Sequence, residues 1–289
     1  MAGGSGTRLY PLTLVTSKQL LPVYNKPLIY YPMSILMLAG IKDILVIATP
    51  HDLPRIRDLL GDGGALGISL RYAVQEEPRG IAEAFLIGRD FGRDEPICLI
   101  LGDNIFHGQD LVARLNRARA LASGANIFAI RVSDPSGYGI IEFDDSGRTV
   151  RIVEKPHETG SSWVATGLYF YDSQVFEIAA SLKPSARGEL EITDINNRYL
   201  ENGRLHVEML SRGSAWFDAG TIDQLLAAGN YVSVIESRQG VAIGCLEEVA
   251  FRQGFIDRGQ LAELADAVPQ SFLQKYLRDL LSEPIDKFS

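Results

Sequence analysis

Apolar runs of strand length recur along the first half of the chain: DILVIAT (43–49), SLRYAVQ (69–75), ICLILGD (97–103) and NIFAIRV (126–132). Runs of this kind suit a parallel sheet covered by helices on both faces. Helical patterns separate them: PLIYYPMSILMLAG (27–40), which starts on Pro27 and stops at Gly40, then DLPRIRDLLG (52–61), AEAFLIGRDF (82–91) and DLVARLNRARALASG (110–124). Proline at the start and glycine at the stop are the expected helix punctuation. The alternation predicts an α/β fold with a doubly wound, mostly parallel, Rossmann-like sheet. After about residue 135 the rhythm changes. GIIEF and TVRIVEK flank DDSG as an antiparallel hairpin, VATGLYFYD (164–172) reads as a buried strand, and helices are expected over 173–182 and 191–203, followed by LHVEMLS (205–211). From 222 onward the pattern is mostly helical. The expected organisation is one body over residues 1–240 with a helical C-terminal annex over 241–289.

Composition narrows this without redirecting it. With 289 residues, 46% hydrophobic and 22% charged, a sizeable core is readily built. No apolar run reaches the roughly 18 residues of a membrane span. The densest, over 27–40, carries Pro32 inside it. No signal peptide is recognisable ahead of the N-terminal glycines, which makes the cytoplasm the default expectation. The two cysteines, Cys98 and Cys245, read as small core residues, and the four histidines are scattered rather than grouped as metal ligands. A net charge of −8 argues against a nucleic-acid surface but not against an anionic small substrate, for which a few convergent Lys and Arg suffice.

The chain opens on AGGSGTR. This matches neither the ATPase P-loop nor the dinucleotide fingerprint, since position 9 is Leu. Gly3, Gly4 and Gly6 nevertheless allow tight turns whose N–H groups converge on an anion. Ser5 shares that loop, Thr7 adds a hydroxyl, Arg8 a guanidinium fork, and Lys18 of SKQLLPV an ammonium ten residues on. A solvated tail with a free Arg and Lys is the plain alternative.

Taken together, GGSGTRLYPLT, SKQLLPVYNKPLIYYPMSILMLAGI, LGDNIFHG, VEKP, TGLYFYD, LKPSARGELEITDINNRYL and RGSAWFDAGT, in that order, resemble the sugar nucleotidyltransferases, and within them the short bacterial glucose-1-phosphate thymidylyltransferases. The resemblance spans Ala2 to the C-terminus. It implies an Mg²⁺-dependent enzyme that joins dTTP to glucose 1-phosphate, giving dTDP-glucose and pyrophosphate for dTDP-rhamnose-type sugar pathways, commonly as a homotetramer. Alternatives are a relative using UTP or another sugar 1-phosphate, or a non-catalytic binder of sugar nucleotides.

In such a reaction position and charge neutralisation supply the rate. Asp103 caps the apolar run 97–102, at the end of a strand where ligands gather, and is the first expected metal ligand; Asp218 of AWFDAGT is the second. Either also fits a loop-capping aspartate. By resemblance Lys155 and Arg187 hold the sugar phosphate and Glu154 the sugar hydroxyls, with Asp103, Asn104, Tyr138, Gly139, Thr166, Gly167 and Tyr169 around the sugar. Neighbours on a strand face opposite ways, so Glu154 and Lys155 serve one pocket only where the strand ends or twists. A surface ion pair is the simpler reading of those two, and a solvated turn that of Arg187. Gln19, Gln75 and the backbone of Gly80 are expected at the base. The EEPRG stretch before Ile81 departs from the family pattern and leaves thymine-over-uracil choice open. Glu248, Arg252 and Arg212 are loose candidates for a second nucleotide site. No general base is needed, because a sugar phosphate is already a dianion near neutral pH. The family resemblance also implies an apolar strand directly before Ala2. A late start or a true truncation would explain its absence, and a vacant central sheet position is expected to lower stability by several kcal/mol.

Overall fold

The computed structural model describes residues 1–3, 6–93, 95–156 and 160–282. Short 3₁₀ turns carry the chain from Thr7 to Leu20, and a two-residue hairpin, β1 (Pro22–Val23) and β2 (Lys26–Pro27), precedes the first helix. That hairpin claims Pro27, so α1 spans Tyr30–Leu38 and starts later than the proline pattern implied. All but two of its residues are buried, which is why its apolar positions showed no single face. β3 (Asp43–Ala48), α2 (Leu53–Leu60) and β4 (Ser69–Val74) form a strand–helix–strand unit with parallel pairing. The helical stretch expected over 82–91 breaks at Gly88 into α3 (Glu83–Ile87) and α4 (Arg89–Gly92). β5 (Ile97–Ile100) and β6 (Ile105–His107) flank the Gly102–Asn104 turn. α5 (Leu111–Arg119) ends several residues before Gly124.

The central six-stranded sheet is mixed rather than mostly parallel. β7 (Ala125–Arg131), the hairpin β8 (Gly139–Phe143) and β9 (Thr149–Glu154), and β10 (Trp163–Tyr171) enter it in turn. β10 runs antiparallel to β5, β7 and β8, and only β11 (Leu205–Met209), after α6 (Val175–Ser181) and α7 (Ile192–Glu201), adds a parallel partner to β7. β12 (Ala215–Phe217) leaves the sheet and pairs antiparallel with β6. The tail is helical, as expected: α8 (Ile222–Gln239), α9 (Leu246–Arg252), α10 (Arg258–Ala267) and α11 (Phe272–Ser282). Val249, Leu261 and Leu277 of these helices share one core with Met33 and Met37 of α1, so the annex is packed onto the body rather than tethered to it. No helix among the described residues is long and apolar enough to cross a membrane. Both cysteines are unpaired; burial raises the pKa of each thiol, as suits core residues.

Between β3 and β5 the sheet is interrupted. Among the described residues only Met1 and Ala2 cross the gap, at one end: Ala2 N–H donates to Ile47 O at 2.7 Å, the Met1 amine donates to Ile100 O at 2.9 Å, and Gly102 N–H donates to Met1 O at 2.7 Å. Ala2 bridges Ala48 in the parallel sense. Below them lies a cavity of about 790 Å³ whose lining includes Ile44, Leu45, Ile97, Leu99, Phe85 and Phe176. The cavity separates β3 from β5. Burial lowers the Met1 amine from 8.0 to about 6, so between those values the unfolded chain binds the proton that the folded chain has released. Stability therefore rises with pH across that window, and the gain is lost as pH falls through about 6.

Fusing an apolar strand of six residues, the length of β3, ahead of Met1 is expected to fill the cavity and remove the buried amine. The melting temperature should rise by at least about 5 °C. The amine's share of the pH dependence should vanish. Calorimetric scans of the two chains at pH 6 and 8 check both, and equal melting temperatures would contradict the assignment of the gap.

Candidate active site

The pairing of β6 with β12 builds the centre of the site. Its register sets Phe217 opposite Ile105, so the residue after one, Asp218, and the residues before the other, Asn104 and Asp103, emerge at the same edge. Asp103 and Asp218 lie close enough that the charge of Asp103 raises the Asp218 carboxyl above its usual range, second to burial as a cause. The charges of Lys18 and Arg8 act on Asp218 in the opposite sense. Lys18 Nζ forms an ion pair with Asp103 Oδ2. Arg8 stands over Gly220, where an added Cβ would lie 3.0 Å from Nη2 of Arg8 and 3.3 Å from Oδ2 of Asp218. The two cations expected at a triphosphate thus converge on the two carboxylates expected at a metal, although 210 residues separate Arg8 from Asp218 in the sequence. Two adjacent carboxylates present the hard oxygen donors that suit Mg²⁺, which fills the rest of its octahedron with water and phosphate. Among the described residues no larger cluster of His, Cys, Asp and Glu competes for a metal.

Backbone conformation resolves the difficulty at Glu154 and Lys155. The chain leaves β9 at Glu154, and Lys155 adopts φ +41, which turns its side chain back onto the face of its neighbour. Lys155 Nζ then lies 3.6 Å from Glu154 Oε1. Ala219, directly after Asp218, also has positive φ, at +35. Such strain costs on the order of 1–3 kcal/mol at each non-glycine residue and persists where the surroundings enforce it. Glu154 Oε2 accepts from Thr193 Oγ1 at 2.5 Å, and Arg187 reaches Glu154 at 3.4 Å while closing on Glu191 at 2.7 and 2.8 Å. Arg187 is therefore near Lys155, as expected, but held by carboxylates.

Other expected residues take different parts. Asn104 is buried and its amide bonds to three protein groups. Oδ1 accepts from Gly167 N–H at 3.0 Å and from Trp216 Nε1 at 2.7 Å, while Nδ2 donates to Asp103 Oδ1 at 2.7 Å. It braces β10 to β12 and orients Asp103. Gly167 is required by that brace: an added Cβ would sit 2.7 Å from Asn104 Oδ1. Thr166 is fully buried, its hydroxyl donating to Phe128 O at 3.0 Å. Tyr169 is likewise buried, stacked on Tyr171, its hydroxyl pKa driven up by burial first and then by Glu154 and Asp103. Thr166 and Tyr169 belong to the sheet beneath the site.

Tyr138 does face the site. Its ring meets Trp216 edge-on at 5.2 Å, its hydroxyl accepts from Gln224 Nε2 at 3.0 Å, and burial with the Asp218 charge pushes its pKa up to about 12. Gly139 places its Cα beside Glu154 and Thr193. Gln224 also accepts from Gly220 N–H at 3.1 Å. Gln224, Trp216 and Thr193 were not anticipated from the sequence. For Gln224 the available signal was its position three residues after Thr221, the helix N-cap.

On the nucleotide side, Gly3, Gly6 and Thr7 stand at the head of the chain above Lys18: a Cβ on Gly6 would lie 3.7 Å from that of Lys18. Gly4 and Ser5 fall outside the described residues. Gln19 is buried, and its Oε1 has no hydrogen-bond partner among the described residues, as suits an atom that awaits a ligand. Gln75 sits against Gly3 at the end of β4. Gly80 is required by the protein itself, since its φ is +105 and a Cβ would strike Leu190 O at 2.3 Å. The looser candidates for a second nucleotide site are engaged in part: Glu248 accepts from Arg252 Nε and from the Tyr276 hydroxyl, both at 2.7 Å, tying α9 to α11, and Arg212 lies at the β11–β12 turn away from them in sequence.

Known proteins resemble this chain over most of its length. A family model described as nucleotidyl transferase matches residues 1–233. The chain is 54% identical over 280 residues to a glucose-1-phosphate thymidylyltransferase of Xanthomonas campestris pv. campestris (strain B100), covering 97% of this chain and 95% of that protein. It is 54% identical over 281 residues to one of Mycolicibacterium smegmatis, covering 97% of each. A Bacillus anthracis crystal structure with bound sucrose, provisionally named glucose-1-phosphate thymidylyltransferase, superposes with a TM-score of 0.74 at 41% identity, over 80% of this chain and 92% of that one. A UDP-glucose pyrophosphorylase solved with UDP-glucose shares the fold at a TM-score of 0.71 and 24% identity, over 82% of this chain and 97% of that one.

Replacing Asn104 with Ala leaves the Gly167 and Trp216 donors unpaired in a buried place, at about 1–3 kcal/mol each. Denaturant unfolding of the variant should show a loss of at least about 2 kcal/mol, and a loss below about 0.5 kcal/mol would show that the brace is unimportant.

Proposed function

Because this chain belongs to the nucleotidyl transferase family, we propose that it is a glucose-1-phosphate thymidylyltransferase, converting dTTP and α-D-glucose 1-phosphate to dTDP-glucose and pyrophosphate. The observation that carries the reading is the convergence of Arg8, Lys18, Asp103 and Asp218 at the β6–β12 edge. Asp103 and Asp218 would hold Mg²⁺, which when bound supplies charge neutralisation at the phosphates.

Lys18 and Arg8 stand beside these carboxylates, where they would supply positive charge to the triphosphate. Lys155 and Arg187 hold the sugar phosphate, with Glu154 accepting from sugar hydroxyls. A phosphate oxygen of glucose 1-phosphate attacks the α-phosphorus, the bond from that phosphorus to the bridging oxygen breaks, and pyrophosphate departs with the electron pair. The attacking oxygen is already anionic, so no side chain has to remove a proton. Placement by Lys155 and Arg187 and charge stabilisation by Lys18 and Arg8 carry the acceleration. Gln19 and Gln75 meet the base. The homotetramer, the cytoplasmic location and the place in dTDP-rhamnose-type biosynthesis that the family resemblance implies belong to the same proposal.

A pyrophosphate-release assay with dTTP or UTP against glucose 1-phosphate or mannose 1-phosphate tests it. The expected result is fastest release from dTTP with glucose 1-phosphate, abolished by chelating divalent metal, and at least about a hundredfold slower in Lys155→Ala. Binding of sugar nucleotide with no release from any pair would favour a non-catalytic binder, and a near-normal rate in Lys155→Ala would remove that residue from the site.

A further inference from the structure

Gln75 is 2% exposed, and its backbone N–H is fixed to Ala48 O at 2.8 Å. Its amide nitrogen faces two groups that can only accept: Glu83 Oε2 at 2.8 Å and Gly80 O at 3.3 Å. Both N–H bonds are thereby used, and the orientation of the amide is settled by chemistry. A flipped amide would set its oxygen against a carboxylate and a carbonyl. Glu83 is itself buried and held: its other oxygen, Oε1, takes Nε and Nη2 of Arg79, four residues earlier, at 2.8 and 2.6 Å. The remaining polar atom of Gln75, Oε1, points at the glycine loop, where a Cβ on Gly3 would lie 2.3 Å from it. No donor among the described residues bonds to that oxygen.

We propose that Glu83 is a specificity-determining positioning residue: by locking the Gln75 amide it makes the base pocket present an acceptor, and so selects the imide pyrimidines, thymine and uracil, over cytosine. This rests on the reading of Gln75 as a base contact given above. Thymine and uracil carry an N–H at ring position 3, which an amide oxygen can receive. Cytosine carries a lone pair there, and two acceptors brought face to face in a dry pocket repel one another. Glu83 touches no substrate in this arrangement and acts through Gln75 alone. The lock does not sense the thymine methyl group, so choice between dTTP and UTP is made elsewhere.

Glu83→Gln tests this. The new amide can offer its nitrogen to Gln75, so the shorter of the two acceptor contacts that fix the orientation is lost, only the 3.3 Å contact to Gly80 O still opposes a turn, and Gln75 can donate toward the base. Isothermal titration of wild-type and variant chains with dTTP and with dCTP gives the selectivity ratio without requiring turnover, and pyrophosphate release gives the same ratio as kcat/KM. The proposal expects the dTTP-over-dCTP ratio to fall at least tenfold in Glu83→Gln, about 1.4 kcal/mol, with most of the change on the dCTP side. Arg79→Ala keeps the carboxylate facing Gln75 and should leave the ratio within twofold. A ratio is unaffected by the fraction of folded protein, so a merely structural loss in Glu83→Gln would weaken both nucleotides alike and overturn the proposal. Equal affinity of the wild-type chain for dTTP and dCTP would also overturn it. Failure of turnover with selectivity intact would instead count against the proposed reaction and leave the lock standing.

Discussion

Four opposed charges meeting at one strand end are the constraint on which the site depends. Arg8 and Lys18 come from the turns before the first helix, Asp103 from the turn between β5 and β6, and Asp218 from the end of β12. Lys18, Asp103 and Asp218 are partly buried, and a charge withdrawn from water needs a partner, while Arg8 stays exposed beside them. Together they are neutral, and the pairing of β6 with β12 is what brings them into one place. Asn104 makes that pairing rigid from beneath, joining Asp103, Trp216 and Gly167 through one buried amide. An arrangement of this kind is stable without substrate and is charged for phosphates once the carboxylates are otherwise engaged.

The positive φ angles at Lys155 and Ala219 belong to the same logic. Each follows an acidic residue of the site at the end of a strand and bends the backbone so that consecutive side chains share a face. The surrounding packing that enforces this includes Thr193 on Glu154 and Gln224 across Tyr138 and Gly220. Precision at the site is thus built from local strain held by α7 and α8.

Much of the fold was legible because its signals are local. The strands over 43–49, 97–103 and 126–132 and the hairpin around DDSG stand where the apolar runs put them. Pairing sense was not legible: an apolar run says that a strand is buried, not which way it runs, and β10 enters antiparallel between β5 and β7. Helix ends drifted where a glycine or proline served another purpose, as Pro27 does in the short hairpin and Gly124 in its bond to Asp172. Asp103 was readable as the last residue of an apolar run. That it stands beside Asp218 depended on three-residue strands pairing across more than a hundred residues, for which periodicity carries no signal. Gly167 and Gly80 have a further reason to be glycine that the sequence did not show, the close approach of Asn104 and of the Leu190 backbone. Glu83 left a trace that was not used, an Arg and a Glu four apart in RGIAEA.

The account is tested most directly by locating a divalent ion. Crystals of the chain grown with dTTP and Mn²⁺ in place of Mg²⁺ should give an anomalous peak about 2.2 Å from carboxylate oxygens of both Asp103 and Asp218. Lys18 Nζ should have moved from Asp103 onto a phosphate. A peak bound to neither carboxylate, or Lys18 still paired with Asp103 while nucleotide fills the site, would contradict it.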